Sequence, residues 1–302
     1  MIVIVKKISF DAFLANCGGY GNFRDEMAGI LACKALNKKN IHLLIHHCYV
    51  GQIFWNYLIN LINIYIGKIS DSLIFVSHAT KKSIENNTSL LTYSKKKSVI
   101  HNGVLIRNFK KKKLKIFHSK KRIIKIGMLS RIDRYKGQQD LVNAFTKLPK
   151  NLKDKMKVFF VGNGDVKNIN ELKAIIEKEN LNNNFKIVNY VKKDSLTIIQ
   201  NFDLLISLTR DFEGFGYSIA EALYVKTPVI ATKVGGIPEY LNNKNATLIN
   251  PKSSNELIKA ISNFYHFESE FKKKTIKGKE LIIEKFNSEN MSLKFDNLLF
   301  KN

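Results

Sequence analysis

Short runs of β-branched and apolar residues alternate with longer amphipathic runs along this chain, the pattern of a parallel sheet wrapped by helices. In the second half, apolar runs predict strands at residues 123–127, 158–161, 185–188, 204–207, 228–231 and 246–249. Apolar positions at helical spacing between them predict helices over about 138–147, 168–179, 195–200, 217–224, 237–241 and 254–265. That is a complete doubly wound α/β domain. The first half is thinner, with strands at 13–16, 42–46, 72–76 and 98–100 and helices over about 22–36, 52–69 and 81–93. A last helix is predicted over 286–300, with Met291, Leu293, Phe295, Leu298 and Leu299 as its packing positions.

The length, 302 residues, suits about two domains. The expected division is 1–108, a Lys-rich linker at 109–120, a second domain at 121–285, and a C-terminal helix at 286–302 that returns to the first. Charge changes the picture: 50 Lys and Arg against 25 Asp and Glu give +25. Such an excess suits nucleic acid, an anionic membrane surface or an acidic substrate. Only Arg24, Arg107, Arg122, Arg131, Arg134 and Arg210 are arginines, however. A surface selected to grip phosphates favours the bidentate guanidinium, so compositional bias toward lysine is the competing explanation, and no nucleic-acid motif is visible. Cys17, Cys33 and Cys48 form no C-x-x-C and no zinc spacing, which fits a reducing compartment. Asp11 interrupts the only apolar start, and the apolar stretch 53–66 is broken by Asn56, Asn60 and Asn63. It is shorter than the ~20 residues of a spanning helix, and a soluble, cytoplasmic chain is expected. The three Asn leave a wide apolar remainder on helix 52–69, which suits either a buried helix or, with Trp55, Tyr57 and Tyr65, a membrane-surface contact.

Candidate chemistry concentrates in three loops at strand C-termini, where open α/β sheets place ligands. Gly127-Met-Leu-Ser-Arg131-Ile-Asp-Arg-Tyr-Lys136-Gly137 sets two cations between a strand end and a helix start, an arrangement suited to a diphosphate. Val161-Gly162-Asn-Gly164-Asp165 lets backbone approach a ligand, although turns use the same residues. Asp211-Phe-Glu213-Gly214-Phe215-Gly216-Tyr-Ser-Ile-Ala-Glu221 puts one carboxylate before a glycine turn and another in the helix that follows. Two such carboxylates serve equally as acid and base or as acceptors for sugar hydroxyls.

These segments in order, followed by Thr227-Pro-Val-Ile-Ala-Thr and Gly235-Gly-Ile-Pro-Glu239, resemble the C-terminal domain of retaining nucleotide-sugar glycosyltransferases of the GT-B fold, glycosyltransferase family 4. The resemblance implies two Rossmann-like domains facing a cleft, the N-terminal one incomplete here, and no metal or cofactor. It implies a nucleoside-diphosphate-sugar donor and a glycan or lipid-linked acceptor in surface polysaccharide synthesis. By the same resemblance Arg131 and Lys136 hold the diphosphate, Glu213 with the amides of Gly214, Phe215 and Gly216 holds the sugar, and Glu221 the ribose. Gly162, Gly164, Tyr190 and Val191 line the nucleotide side. Lys226 departs from the family's usual Gly before Thr-Pro, and a left-handed helix terminus there costs stability.

In the first half, Leu43-Leu-Ile-His46-His47 resembles the strand whose terminal His reaches the sugar, and His46 is the expected residue. Ser77-His-Ala-Thr80 and Ile100-His-Asn102-Gly103 resemble the end of the family's N-terminal domain, with His101 in place of the usual Pro. Gly18-Gly19 fits the donor glycine loop only with a deletion before His46. Reading 10–16 as the strand that precedes the His strand needs none, and implies that the domain's first strands are absent. A remnant or one part of a split enzyme is then the alternative to an active transferase, with peripheral contact to an anionic inner membrane face as a further expectation.

Overall fold

The computed structural model describes residues 1–18, 24–49, 56–107, 123–190 and 194–300. The expected linker 109–120, Gly19, Trp55 and Val191 lie outside them. The chain forms two units, one of Met1–Gly103, Phe212–Phe215 and Ser288–Asn302, the other of Val104–Asp211 and Gly216–Asn287.

The first unit holds a four-stranded parallel sheet, β1 (Phe13–Cys17), β2 (Ile41–Ile45), β3 (Ser72–Phe75) and β4 (Lys97–Val99), in sequential order. Its helices are α1 (Ile2–Lys6), α2 (Arg24–Ala35), α3 (Asn56–Ile69) and α4 (His78–Asn87). β2 and β3 are buried at every position, as strands covered on both faces must be. One core joins Ile30, Leu43, Ile45, Ile66, Leu73 and Phe75. Helix α4 begins three residues before its expected start because the Ser77 hydroxyl accepts the Thr80 amide at 3.1 Å, a side-chain cap that apolar spacing does not reveal. In α3, Asn63 is buried, while Leu61 and Tyr65 are exposed.

The second unit holds six parallel strands, β5 (Ile124–Leu129), β6 (Met156–Val161), β7 (Phe185–Val188), β8 (Leu204–Ser207), β9 (Val229–Thr232) and β10 (Thr247–Ile249). Their order, β7-β6-β5-β8-β9-β10, reverses direction between β5 and β8. Helices α5 (Gln138–Thr146), α6 (Lys150–Lys153), α7 (Val166–Lys178), α8 (Ser195–Ile199), α9 (Tyr217–Tyr224) and α10 (Ser254–His266) alternate with the strands. The segment expected as helix 237–241 is a one-turn 3₁₀ helix, Ile237–Glu239.

Two long helices close the chain, α11 (Glu268–Lys285) and α12 (Ser288–Phe300). The sequence pattern predicts no helix at α11, because its buried stripe is only Phe271, Thr275, Gly278 and Ile282 in a Lys-rich background. In α12, Met291, Phe295 and Leu298 pack on Leu44, Ile74, Val76 and Ile100 within the first unit, whereas Leu293 faces solvent at 52% exposure.

Lys226 follows α9 with φ +60°, and the Thr227 amide donates to the Ala222 carbonyl at 2.8 Å. That is the left-handed helix terminus that glycine prefers. Its side chain is exposed, so little packing is lost on truncation. Lys226→Gly is therefore expected to stabilise the protein by about 1 kcal/mol, raising Tm by about 2 °C. A calorimetric melt checks this, and an unchanged or lower Tm removes the strain argument.

Candidate active site

The crevice beyond the strand C-termini at a switch point is where a doubly wound sheet binds ligands, here beside β5 and β8. After β5, Asp133 caps a one-turn 3₁₀ helix, Arg134–Lys136. Gln138 fixes the loop by donating from Nε2 to the Arg131 carbonyl at 2.8 Å and to Ser130 Oγ at 3.2 Å. Arg131 and Lys136 converge on one side chain. The Arg131 guanidinium donates to Tyr135 Oη at 2.6 Å, and Lys136 Nζ sits 4.8 Å from the centroid of the same ring. The loop after β8 is tied to this one: the Arg210 amide donates to the Tyr135 carbonyl at 2.8 Å. The Arg210 guanidinium also grips Asp140 through two bonds, at 2.6 and 2.8 Å, which raises the Arg210 pKa. Arg134 is occupied elsewhere, in a forked pair with Glu171, so Arg131 and Lys136 are the two cations of this loop that gather at Tyr135. Tyr135 itself carries no sequence signal beyond its four-residue spacing from Arg131.

Gly162 and Gly164 have a clear packing role. A Cβ at Gly162 would lie 1.8 Å from the Ser130 carbonyl oxygen, and one at Gly164 would lie 2.3 Å from that of Ile132. The loop after β6 is thus pressed against the loop that carries Arg131. Tyr190 is 37% exposed, and its amide donates to Asn163 Oδ1 at 3.1 Å.

Glu221, one turn into α9, has its own neighbours. Its carboxylate accepts the Ser195 hydroxyl at 2.7 Å. Burial pushes the Glu221 carboxyl pKa up and Asp194 adds to this, while the Ser195 hydrogen bond and Arg107 pull it down. Arg107 pairs with Asp194 at 2.5 Å. The sequence reading missed these three partners, because two lie in a different strand–helix connection and the third precedes β5. Gly216, at φ +81°, caps α9, its carbonyl accepting the Ile219 amide at 3.0 Å, and so sets the N-terminal end of that helix at this turn.

The residues just before Gly216 belong with the first unit. There a Cβ at Gly214 would lie 2.1 Å from the His46 carbonyl oxygen, and the Phe212 ring meets that of His47 edge-on at 5.2 Å. Phe215 is buried at 3% exposure, and Glu213 between these contacts is half-buried. The loop bearing Glu213 therefore lies along the end of β2, where His46 emerges. Burial lowers the His46 pKa, which favours a neutral imidazole. Among the described residues, no group of three His, Cys, Asp or Glu side chains is placed to hold a metal ion. No described helix is long and apolar enough to cross a membrane.

Residues 107–281 match the family described as Glycosyl transferases group 1, and the chain belongs to it. A poly(ribitol-phosphate) alpha-N-acetylglucosaminyltransferase of Staphylococcus aureus (strain COL) is 29% identical over 175 residues, 57% of this chain and 34% of that protein. The N-acetyl-alpha-D-glucosaminyl L-malate synthase of Bacillus anthracis is 30% identical over 134 residues, 44% of this chain and 32% of that one. These alignments span about a third of each curated relative. Among solved structures, Anabaena HepE in complex with UDP and glucose superposes with TM-score 0.79 at 18% identity, over 94% of this chain and 77% of that one. A TarM variant of S. aureus in complex with fondaparinux, alpha-GlcNAc-glycerol and UDP gives 0.75 at 22%, over 99% and 58%. The fold is that of GT-B glycosyltransferases.

Proposed function

We propose that this protein transfers a hexosyl residue from a nucleoside-diphosphate sugar, with retention at the anomeric carbon, to a polyol-phosphate or glycan acceptor in surface polysaccharide synthesis. The convergence of Arg131 and Lys136 on Tyr135 at the switch point carries this reading. Two fixed cations there stabilise charge that builds on the leaving diphosphate, an electrostatic contribution that typically dominates such a step. The UDP in the HepE and TarM complexes and the poly(ribitol-phosphate) in one relative's name support the donor and acceptor classes.

On this reading Glu213 and the amides around Gly214, Phe215 and Gly216 orient the sugar, and Glu221 accepts from the ribose hydroxyls. Gly162, Gly164 and Tyr190 border the nucleoside, and His46 acts on the sugar. The anomeric carbon–oxygen bond breaks toward the diphosphate while the acceptor oxygen adds on the same face. The departing phosphate oxygen takes the acceptor's proton, so no protein nucleophile is consumed. A second reading is a nucleotide-sugar-binding remnant or split-enzyme subunit that performs no transfer.

Radiolabelled UDP-glucose and UDP-N-acetylglucosamine, offered with ribitol-phosphate oligomers, separate the two. Transfer with an α-linked product by NMR is expected, lowered at least 100-fold in Glu213→Ala while UDP binding persists. UDP binding with no turnover on any acceptor selects the remnant. Failure to bind UDP removes the donor assignment.

A further inference from the structure

We propose that the first unit carries a separate anion site at the opposite end of its sheet from His46, built to take a phosphate-bearing ligand. A cavity of about 660 Å³ lies there, at the N-terminal ends of β2 and β3 and beside the start of β4. His42 and His46 are four residues apart on β2 and its exit, which places the cavity about 13 Å from the His46 end.

Its lining is ordered and strongly basic. Lys34, Lys38, Lys39, Lys95 and Lys96 face it, five of the eleven lysines in residues 1–103, against the carboxylates of Asp11 and Asp71. Asn37 and Asn40 adopt left-handed backbone, with φ +51° and +62°, and so turn the chain on either side of Lys38 and Lys39. Asn40 anchors the turn, donating from Nδ2 to the backbone carbonyls of Asp11 at 3.0 Å and Leu299 at 2.7 Å. His42 sits between Asn40 Oδ1 and Ser72 Oγ, 2.6 Å from each. Burial lowers its pKa, with Asp71 opposing and Lys96 reinforcing the shift, so the ammonium groups carry the charge. Asp71 is committed to the Ile41 amide at 2.9 Å and Lys95 at 2.8 Å.

Five ammonium groups around two carboxylates leave a surplus of three positive charges, in a space of the size that holds small ligands. Lysines at this density attract a multiply charged anion in preference to a single carboxylate. The remaining wall is apolar, with Ile69, Leu298, Leu299 and a 58% exposed Phe300. Phosphate is the chemistry common to two sources, a free polyphosphate and the headgroup of an anionic lipid whose chain lies along that wall. The inference stands apart from the transfer reaction, since none of these residues belongs to the candidate active site.

Calorimetric titration of the full chain with inorganic tripolyphosphate, and flotation with phosphatidylglycerol against phosphatidylcholine vesicles, test it. The comparison is between Lys38→Glu/Lys39→Glu and a control of equal charge change on the exposed face of α7, Lys173→Glu/Lys178→Glu. Binding on at least one arm is expected, weakened tenfold or more in the first variant and less than twofold in the control. Tripolyphosphate binding identifies the free anion, and vesicle binding alone, lost in Phe300→Ser, identifies the headgroup. Equal weakening in both variants, or no binding on either arm at millimolar ligand or lipid, overturns the proposal. Lys96→Gln replaces the double variant if the latter does not fold.

Discussion

Arg131→Ala is expected to lower kcat/KM for the nucleotide-sugar donor by about 10²–10³-fold, and Lys136→Ala by a similar factor, with little change in Tm. The size follows from removing one preorganised charge aimed, on the proposed reading, at an oxygen that becomes more negative in the transition state, worth about 3–4 kcal/mol. The Arg131 side chain is exposed and its bond to Tyr135 is a surface contact, so folding does not depend on it. Arg134→Ala is the internal control. That side chain belongs to the same loop but spends its charge on Glu171, and its loss should change the rate less than twofold. If both cations serve one diphosphate, as proposed, the double variant Arg131→Ala/Lys136→Ala should fall short of the product of the single effects. Steady-state kinetics at fixed ionic strength decide the point. Equal losses in Arg134→Ala and Arg131→Ala would mean that the loop acts only through its general charge, and the diphosphate assignment would fall.

Gly162→Ala should cost stability and activity together. The added methyl meets the Ser130 carbonyl carbon at 2.8 Å as well as its oxygen, and both are backbone atoms that no rotamer change can move. The two loops cannot simply part. The Ser130 amide donates to the Val161 carbonyl at 3.1 Å, and the Gly162 amide to the Val188 carbonyl at 3.0 Å. A loss of about 3 kcal/mol is expected, about 6 °C or more in Tm. Activity measured well below the melting range should fall at least tenfold, because the strand exit that moves is the one from which Arg131 projects. A variant as stable as the parent would show that the two loops do not meet this closely. Alanine at Gly162 thus separates a glycine needed for packing from one kept only for contact with ligand, where activity would fall and Tm would not.

How much of this was legible beforehand follows from the range of each interaction. Apolar runs and helical spacing are local signals, so nearly every strand appeared within a residue or two of its expected place, as did the three loops that carry the candidate chemistry. The spacing from Arg131 to Lys136 and the cluster around Glu213 can be read directly along the chain. Helix α11 escaped because a narrow stripe in a lysine-rich segment carries little periodic contrast, and α4 was misplaced because one hydroxyl decides where it starts. Leu293 shows the reverse error, since helical position says which residues share a face and not which face is covered.

From its residues alone the chain is an alternating α/β protein with a doubly wound second half and cations and carboxylates at its strand exits, since burial over a few residues leaves a period in the sequence. Tertiary structure alone decided that Tyr135 gathers Arg131 and Lys136, that Gly162 answers to the Ser130 carbonyl, and that the Glu213 loop packs along the end of β2. It also decided that lysines from two separate connections ring one cavity. Each of these joins groups through space, with geometry set by how elements pack, and packing between distant segments leaves no period to read.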